Sequence, residues 1–259
     1  MNSNHLDTIK KFQYIPVGLG NDTFSNQWLD DRTGDNISYK NKYYGEYTFH
    51  YWIWKNYIEK VEDKWIGFCQ YRKFWSLDRQ INKPNSLKEL QSLVLKEIPK
   101  KYEDFDAILG EPFFVDQLKL MKFLKRGFKM ILLNPLSIID KRQRNIRFHF
   151  NMWHGKEFLD EAIKLLDYED KKDFNNFINT NNSFNPHNMF ICKSKKTLQK
   201  YYEKIFPWLD RCEKLFKHKT LSGYGQTRIY GFLAERFMSY WFQKNTRYKT
   251  MPIIFYDIK

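Results

Sequence analysis

The stretch KWIGFCQYRKFW, from Lys64 to Trp75, decides how this chain is read. Its apolar and aromatic residues predict a buried strand, and Gln70, Tyr71, Arg72 and Lys73 emerge at its end as a polar, basic group. Helices and short strands alternate on either side of it. Upstream, Phe12–Gly20 reads as a short strand running into a glycine turn, and Tyr43–Lys60 as a helix. In that helix Tyr44, Tyr47, Tyr51, Trp54 and Ile58 recur at three- and four-residue steps as one aromatic stripe. Downstream, Ser86 followed by Glu89 predicts a capped helix over Ser86–Ile98. Asp106–Pro112 and Lys129–Pro135 read as further strands, with a basic helix over Asp116–Phe128 between them. The rest is mainly helical, with long helices over Ser194–Phe216 and Gln226–Gln243. A strand over Asn185–Lys193 interrupts it, and another in YKTMPIIFYD closes it. Such alternation predicts an α/β layer fold with a mixed or parallel sheet. Ligands in such sheets sit at strand carboxyl ends, here Gln70–Trp75, Gly110–Pro112 and the segment after Phe190.

Size and composition agree with one domain over residues 1–259. Hydrophobic residues make up 42% and aromatics 19%, enough for a full core and too much for disorder. Aromatics could stack on sugars or bases, but a genome poor in G and C enriches Phe, Tyr, Lys and Asn equally. The net charge of +14 favours anionic partners: nucleic acid, phosphorylated substrates or an acidic membrane face. The three cysteines include no CxxC pair, which points to reduced thiols in the cytoplasm. No apolar run reaches the length of a membrane span, and the first residues contain no signal-peptide core.

Several common chemistries have no support. The dinucleotide glycine fingerprint, the Walker phosphate loop, HExxH, zinc-ligand spacing and a nucleophile elbow are all absent from the sequence. What remains is carboxylates, amides and basic groups. In DDRTGD, Asp30, Asp31 and Asp35 surround a glycine turn; they read as metal ligands or as a polar turn before a helix. Asp104 and Asp106 fit the Asp-x-Asp pattern of metal-dependent group transfer, but they sit at the front of a strand, the wrong end for a ligand site, and read as structural. Arg72 and Lys73 read as a diphosphate clamp or a solvated strand end. Arg228 and Glu235, seven residues apart, read as a buried ion pair or as a carboxylate base with its partner. The basic run Lys141–Arg147 and the Lys-rich helix read as solvated faces or as a seat on anionic lipid.

Four segments in order carry a resemblance: TGDNISYKNKYYGEYTFHYWIWKN (Thr33–Asn56), WIGFCQYRKFW (Trp65–Trp75), HNMFICK (His187–Lys193) and YGFLAERF (Tyr230–Phe237). Together they resemble a bacterial capsular-polysaccharide glycosyltransferase family, many of whose members are described only as a domain of unknown function. The likeness runs from about Tyr14 to Trp241. It implies a GT-A-like (Rossmann-like) fold with a nucleotide-sugar half over about 12–135. A mainly helical acceptor-side half would cover about 136–259. It also implies transfer of a hexose such as galactofuranose from a UDP-linked donor to a growing lipid-linked glycan. That would occur in the cytoplasm, against the inner membrane face. On this resemblance Asp35, Asn36, Lys40, Gln70, Tyr71, Arg72 and Lys73 would bind the donor. His154, Asn188, Met189 and Arg228 would border the acceptor. Glu235, or Asp31, would be the base, with inversion at the sugar. Asp31 and Asp35 are the candidates for holding Mn2+ or Mg2+. Members carry His-Tyr-Arg-Arg where this chain has Gln70-Tyr71-Arg72-Lys73, and Gln70 cannot titrate. Rival expectations are a basic nucleic-acid-binding protein and a non-catalytic scaffold of glycan assembly; the first lacks a recognisable binding motif, and no specific nucleic acid is expected as a partner.

Overall fold

In a computed structural model the protein is described at residues 5–20, 22–60, 64–117, 132, 135–138, 140–218 and 221–258. The expected helix Asp116–Phe128 and strand Lys129–Pro135 lie almost wholly outside these residues. Contacts divide the chain into two compact units interleaved along the sequence. The first comprises Met1–Glu111, His187–Glu203 and Phe242–Lys259, and the second Pro112–Pro186 and Lys204–Trp241.

The strands in chain order are β1 (Val17–Gly18), β2 (Leu29–Asp30), β3 (Ile66–Gly67), β4 (Lys73–Trp75), β5 (Ala107–Gly110), β6 (Phe113–Phe114), β7 (Ser183–Phe184), β8 (Phe190–Cys192), β9 (Tyr248–Met251) and β10 (Ile253–Phe255). The central sheet of the first unit has the order β3-β8-β5-β9. It is mixed: β5 runs parallel to β9, whereas β8 is antiparallel to both β3 and β5. All four β5 residues are buried, which is why AILG reads as a continuous apolar run without alternation. Ile108, Ile191, Met189 and Met251 pack there with Trp75, Leu95 and Tyr102. A second cluster sets Phe12, Phe74 and Leu90 against Ile254 and Ile258. Each such side chain contributes roughly 1.5–3 kcal/mol of transfer free energy.

The predicted strand Lys64–Trp75 is two strands in two sheets. β3 joins the central sheet, while β4 pairs antiparallel with β10. Between them Lys73 N–H donates to the Gln70 carbonyl at 3.1 Å, closing a turn. The apolar residues on both sides of Gln70 belong to different surfaces, and the sequence pattern alone cannot show that break.

The predicted helix Tyr43–Lys60 is also divided. Gly45 has φ of 60°, which ends the short helix Asn41–Tyr44. A helix over Tyr47–Trp52 follows, then a π-helical turn over Ile53–Tyr57 and a 3-10 turn over Ile58–Lys60. The change in pitch shifts the buried face. Tyr44, Tyr47, Trp52, Ile53 and Ile58 are buried, while Tyr51 and Trp54 are half-buried. The buried His50 stacks near Phe68 and Phe190 and bonds the Tyr202 hydroxyl at 2.8 Å. The Ser86-capped helix forms as expected, with Glu89 N–H donating to Ser86 Oγ, but it ends at Leu93. Val94 instead bridges to Ser76, and Leu95 N–H donates to the Trp75 carbonyl. Asp106 accepts from Arg247 N–H and donates its own N–H to the Arg247 carbonyl, locking the entries of β5 and β9 together.

The second unit contains the antiparallel pair β6–β7 and the helices Ile146–His154, Lys156–Lys164 and Tyr168–Thr180. The long helix Lys195–Phe216 contributes its residues from Lys204 onward, and helix Ile229–Asn245 its residues up to Trp241. In this unit Trp208 donates from its indole N–H to the Ala162 carbonyl at 2.7 Å.

Candidate active site

The Thr33–Asn36 turn is built by side chains. Gly34 has φ of 60°, and a Cβ there would come within 2.1 Å of Asn56 Oδ1. That oxygen accepts from Asp35 N–H, while Asn56 Nδ2 donates to the Asp35 carbonyl. Asn36 donates to the carbonyls of Arg32 and Gly34 and accepts from Ser38. Asn36 is thereby spent on holding the turn. The exposed Asp35 carboxylate accepts from Tyr51 Oη at 3.2 Å. The Lys40 ammonium lies over the rings of Tyr39 and Tyr44.

Asp31 is fully buried and accepts from Gly20 N–H at 3.3 Å through Oδ1. Burial pushes its carboxyl pKa up. Asp31 and Asp35 thus sit in opposite surroundings. Among the described residues no three His, Cys, Asp or Glu side chains gather to hold a metal ion.

A polar cluster forms where β3 leaves the sheet and its antiparallel neighbour β8 enters it. Gln70 Nε2 donates to Glu46 Oε1 at 2.8 Å and to the His187 carbonyl at 2.6 Å. Asn188 Nδ2 donates to the same Glu46 oxygen at 2.9 Å. Lys73 Nζ donates to Gln70 Oε1 and to His187 Nδ1, both at 2.9 Å. His187 and Asn188 have φ of 79° and 53°, two successive residues in the left-handed region. For non-glycine residues each costs about 1–2 kcal/mol, and such strain concentrates at functional sites. Burial, then the neighbouring Lys73, lowers the His187 pKa to about 3. His187 is therefore neutral near pH 7.

Of the residues expected around the donor, Gln70 and Lys73 come together here, joined by Asn188 from the acceptor-side set. Arg72 turns away: its guanidinium pairs with Asp257 at 3.0 Å and lies over the exposed Tyr71 ring. Met189 has no accessible surface and belongs to the core. Glu46 and His187 escaped the sequence reading. The available signals were a lone carboxylate after Gly45 in an aromatic run and the Pro-His-Asn turn before β8.

The remaining residues lie in the second unit. Arg228 is not in a helix with Glu235; it caps the short helix Gly223–Thr227, with its guanidinium over Tyr224. Glu235 pairs instead with its neighbour Arg236. Arg236 is buried over the Phe184 and Phe150 rings and donates to His149 Nδ1 at 3.3 Å. His154 is buried, stacks on Phe232 and donates through Nδ1 to the Gly225 carbonyl at 2.9 Å. Burial lowers its pKa to about 3. These contacts make Glu235 and His154 parts of the packing.

The first unit thus carries a mixed sheet with a charged, amide-rich cluster at its strand ends. A solved structure described as the WbbM bifunctional glycosyltransferase in its apo state matches over 89% of this chain, with a TM-score of 0.65 and 21% identity. The chain spans 40% of that protein's length, and at this identity the likeness is one of fold. The chain belongs to the DUF4422 family, described as a domain of unknown function, which matches residues 2–246. No curated protein matches it.

Proposed function

We propose that the protein is a glycosyltransferase. It would move a hexose from a nucleotide sugar, UDP-linked and of the galactofuranose kind, to a growing capsular or lipopolysaccharide-type glycan. The observation that carries this reading is the fold shared with a bifunctional glycosyltransferase over 89% of the chain. The Gln70–Lys73–Asn188 cluster supports it, because ammonium and amide donors at strand ends suit a sugar diphosphate. Lys73 would offset charge on the leaving diphosphate, and Gln70 and Asn188 would orient the sugar. Asp31 is buried and Asp35 exposed, so these two carboxylates do not form a shared ligand set for Mn2+ or Mg2+. No helix among the described residues is long and apolar enough to cross a membrane. A lipid-linked acceptor would be met by peripheral contact between the basic surface and anionic lipid, on the cytoplasmic face.

Calorimetric titration with UDP-, GDP-, CMP- and dTDP-sugars, with and without Mn2+, tests the reading. Binding of a UDP-hexose, followed by its consumption with a lipid-linked acceptor, is expected. Binding of none of these sugars, together with salt-sensitive affinity for generic RNA, would replace it with the nucleic-acid reading that the +14 charge permits.

A further inference from the structure

We infer that Glu46 is the general base that takes the proton from the attacking hydroxyl. The inference rests on the glycosyltransferase reading and extends it to a residue outside the expected set. Glu46 supplies the one carboxylate in the cluster formed with Gln70, Lys73, His187 and Asn188. Its Oε1 accepts two amide donors, from Gln70 at 2.8 Å and Asn188 at 2.9 Å, which fixes the carboxylate plane. Its side-chain hydrogen bonds among the described residues both fall on Oε1, leaving Oε2 to take the proton, and the residue is half-buried. The backbone beneath is braced as well. Asn41 accepts from Gly45 N–H at 2.8 Å through its carbonyl and donates to the Gly45 carbonyl at 2.9 Å through its side chain.

The other candidates are committed elsewhere. His187 receives Lys73 on Nδ1, so its proton sits on Nε2 and the ring can donate but not accept. Asp31 is fully buried. Asp35 belongs to the exposed turn, and Glu235 is paired with a buried arginine. The strained pair His187 and Asn188 aims two groups at this one point: the His187 carbonyl at Gln70 and the Asn188 amide at Glu46. Two left-handed residues in succession are hard to account for by packing alone.

The step balances without a further reactant. The acceptor O–H proton passes to Glu46 Oε2 as the acceptor oxygen bonds to the anomeric carbon. The bond from that carbon to the diphosphate oxygen breaks, and its electron pair leaves on the nucleoside diphosphate. Glu46 then returns the proton to water.

The test uses the full chain, UDP-galactopyranose and UDP-galactofuranose as donors, and Glu46→Gln as the variant. Glutamine keeps an oxygen for Gln70 and Asn188 but cannot accept a proton. Three measurements are needed: donor affinity by calorimetry, UDP release with water or a free galactoside as acceptor, and the pH–rate profile. Expected are a donor Kd within about threefold of wild type, UDP release lower by about 100-fold or more, and loss of the acid limb of the profile. UDP release within about threefold of wild type would overturn Glu46 as base. Loss of donor binding together with turnover would also overturn it, showing a role in holding the donor. A wild-type protein that binds and turns over neither donor would fail the glycosyltransferase reading itself, a result visible before any variant is made.

Discussion

Lys73 donates its ammonium to Nδ1 of His187 across 2.9 Å, and this bond sets the tautomer of the ring. An ammonium has only donors, so the accepting nitrogen carries no proton and Nε2 does. Lys73, Gln70 and Glu46 then form a chain that runs from cation to carboxylate through one amide. Gln70 joins them because its amide donates to Glu46 and to the His187 carbonyl while its oxygen accepts from Lys73.

Lys73 is expected to act through its charge. Lys73→Met should weaken UDP-sugar binding by about 10- to 100-fold, the loss of one or two hydrogen bonds to a charged group. Lys73→Arg should keep affinity within about fivefold. Calorimetry on both variants decides this, and equal loss in both would mean that the shape of Lys73, and not its charge, is required.

Gly34 is expected to be irreplaceable for two reasons, its φ of 60° and the overlap of any Cβ with Asn56. Gly34→Ala should cost about 1–2 kcal/mol in urea unfolding, from the left-handed backbone and the displaced amide. An unchanged unfolding midpoint would show that the turn relaxes freely.

Acid should destabilise the protein from about pH 6.5 downward. Burial holds His50, His154 and His187 at pKa values of about 3, and His149 well below its ordinary value. Above pH 6.5 these rings are neutral in both the folded and the unfolded chain, and stability is fully present. As pH falls toward 3 only the unfolded chain takes up the protons. Each ring then removes at most about 1.4 kcal/mol per pH unit. Urea midpoints at pH 7.0, 6.0 and 5.0 measure the slope; a flat profile would mean that these rings become accessible in the folded protein.

The buried pair in the second unit should behave as a structural element. Arg236→Ala leaves Glu235 without its partner and should cost about 3–5 kcal/mol, whereas a well-packed Arg236→Met should cost less. Loss of turnover in Glu235→Gln should track the folded fraction measured by circular dichroism. A turnover loss in a fully folded Glu235→Gln would return Glu235 to the chemistry.

How far the sequence was legible follows from these residues. The α/β class, the buried β5 and the long helices were readable because local periodicity and continuous apolar runs carry them. The break at Gln70 was not, since both flanks are apolar and only tertiary pairing assigns β3 and β4 to different sheets. The aromatic stripe shifted because a π-helical turn altered the pitch after Trp52. Glu46 and Asn188 lie 142 residues apart, and no local pattern joins such partners. Arg228 and Glu235 do share helical spacing, yet the ion pair formed one residue further along.

The parallel pairing of β5 with β9 also constrains the birth of the protein on the ribosome. β5 is translated long before residues 248–255 emerge to supply β9 and β10. At usual elongation rates that interval is roughly 10–30 seconds. Both sides of this apolar strand offer unpaired amides and carbonyls to any passing chain until β8 emerges, and the β9 side does so to the end of the interval, a situation that invites edge-to-edge association. Expression yield in cells lacking a ribosome-bound chaperone should therefore depend more on this delay than on the stability of the finished fold.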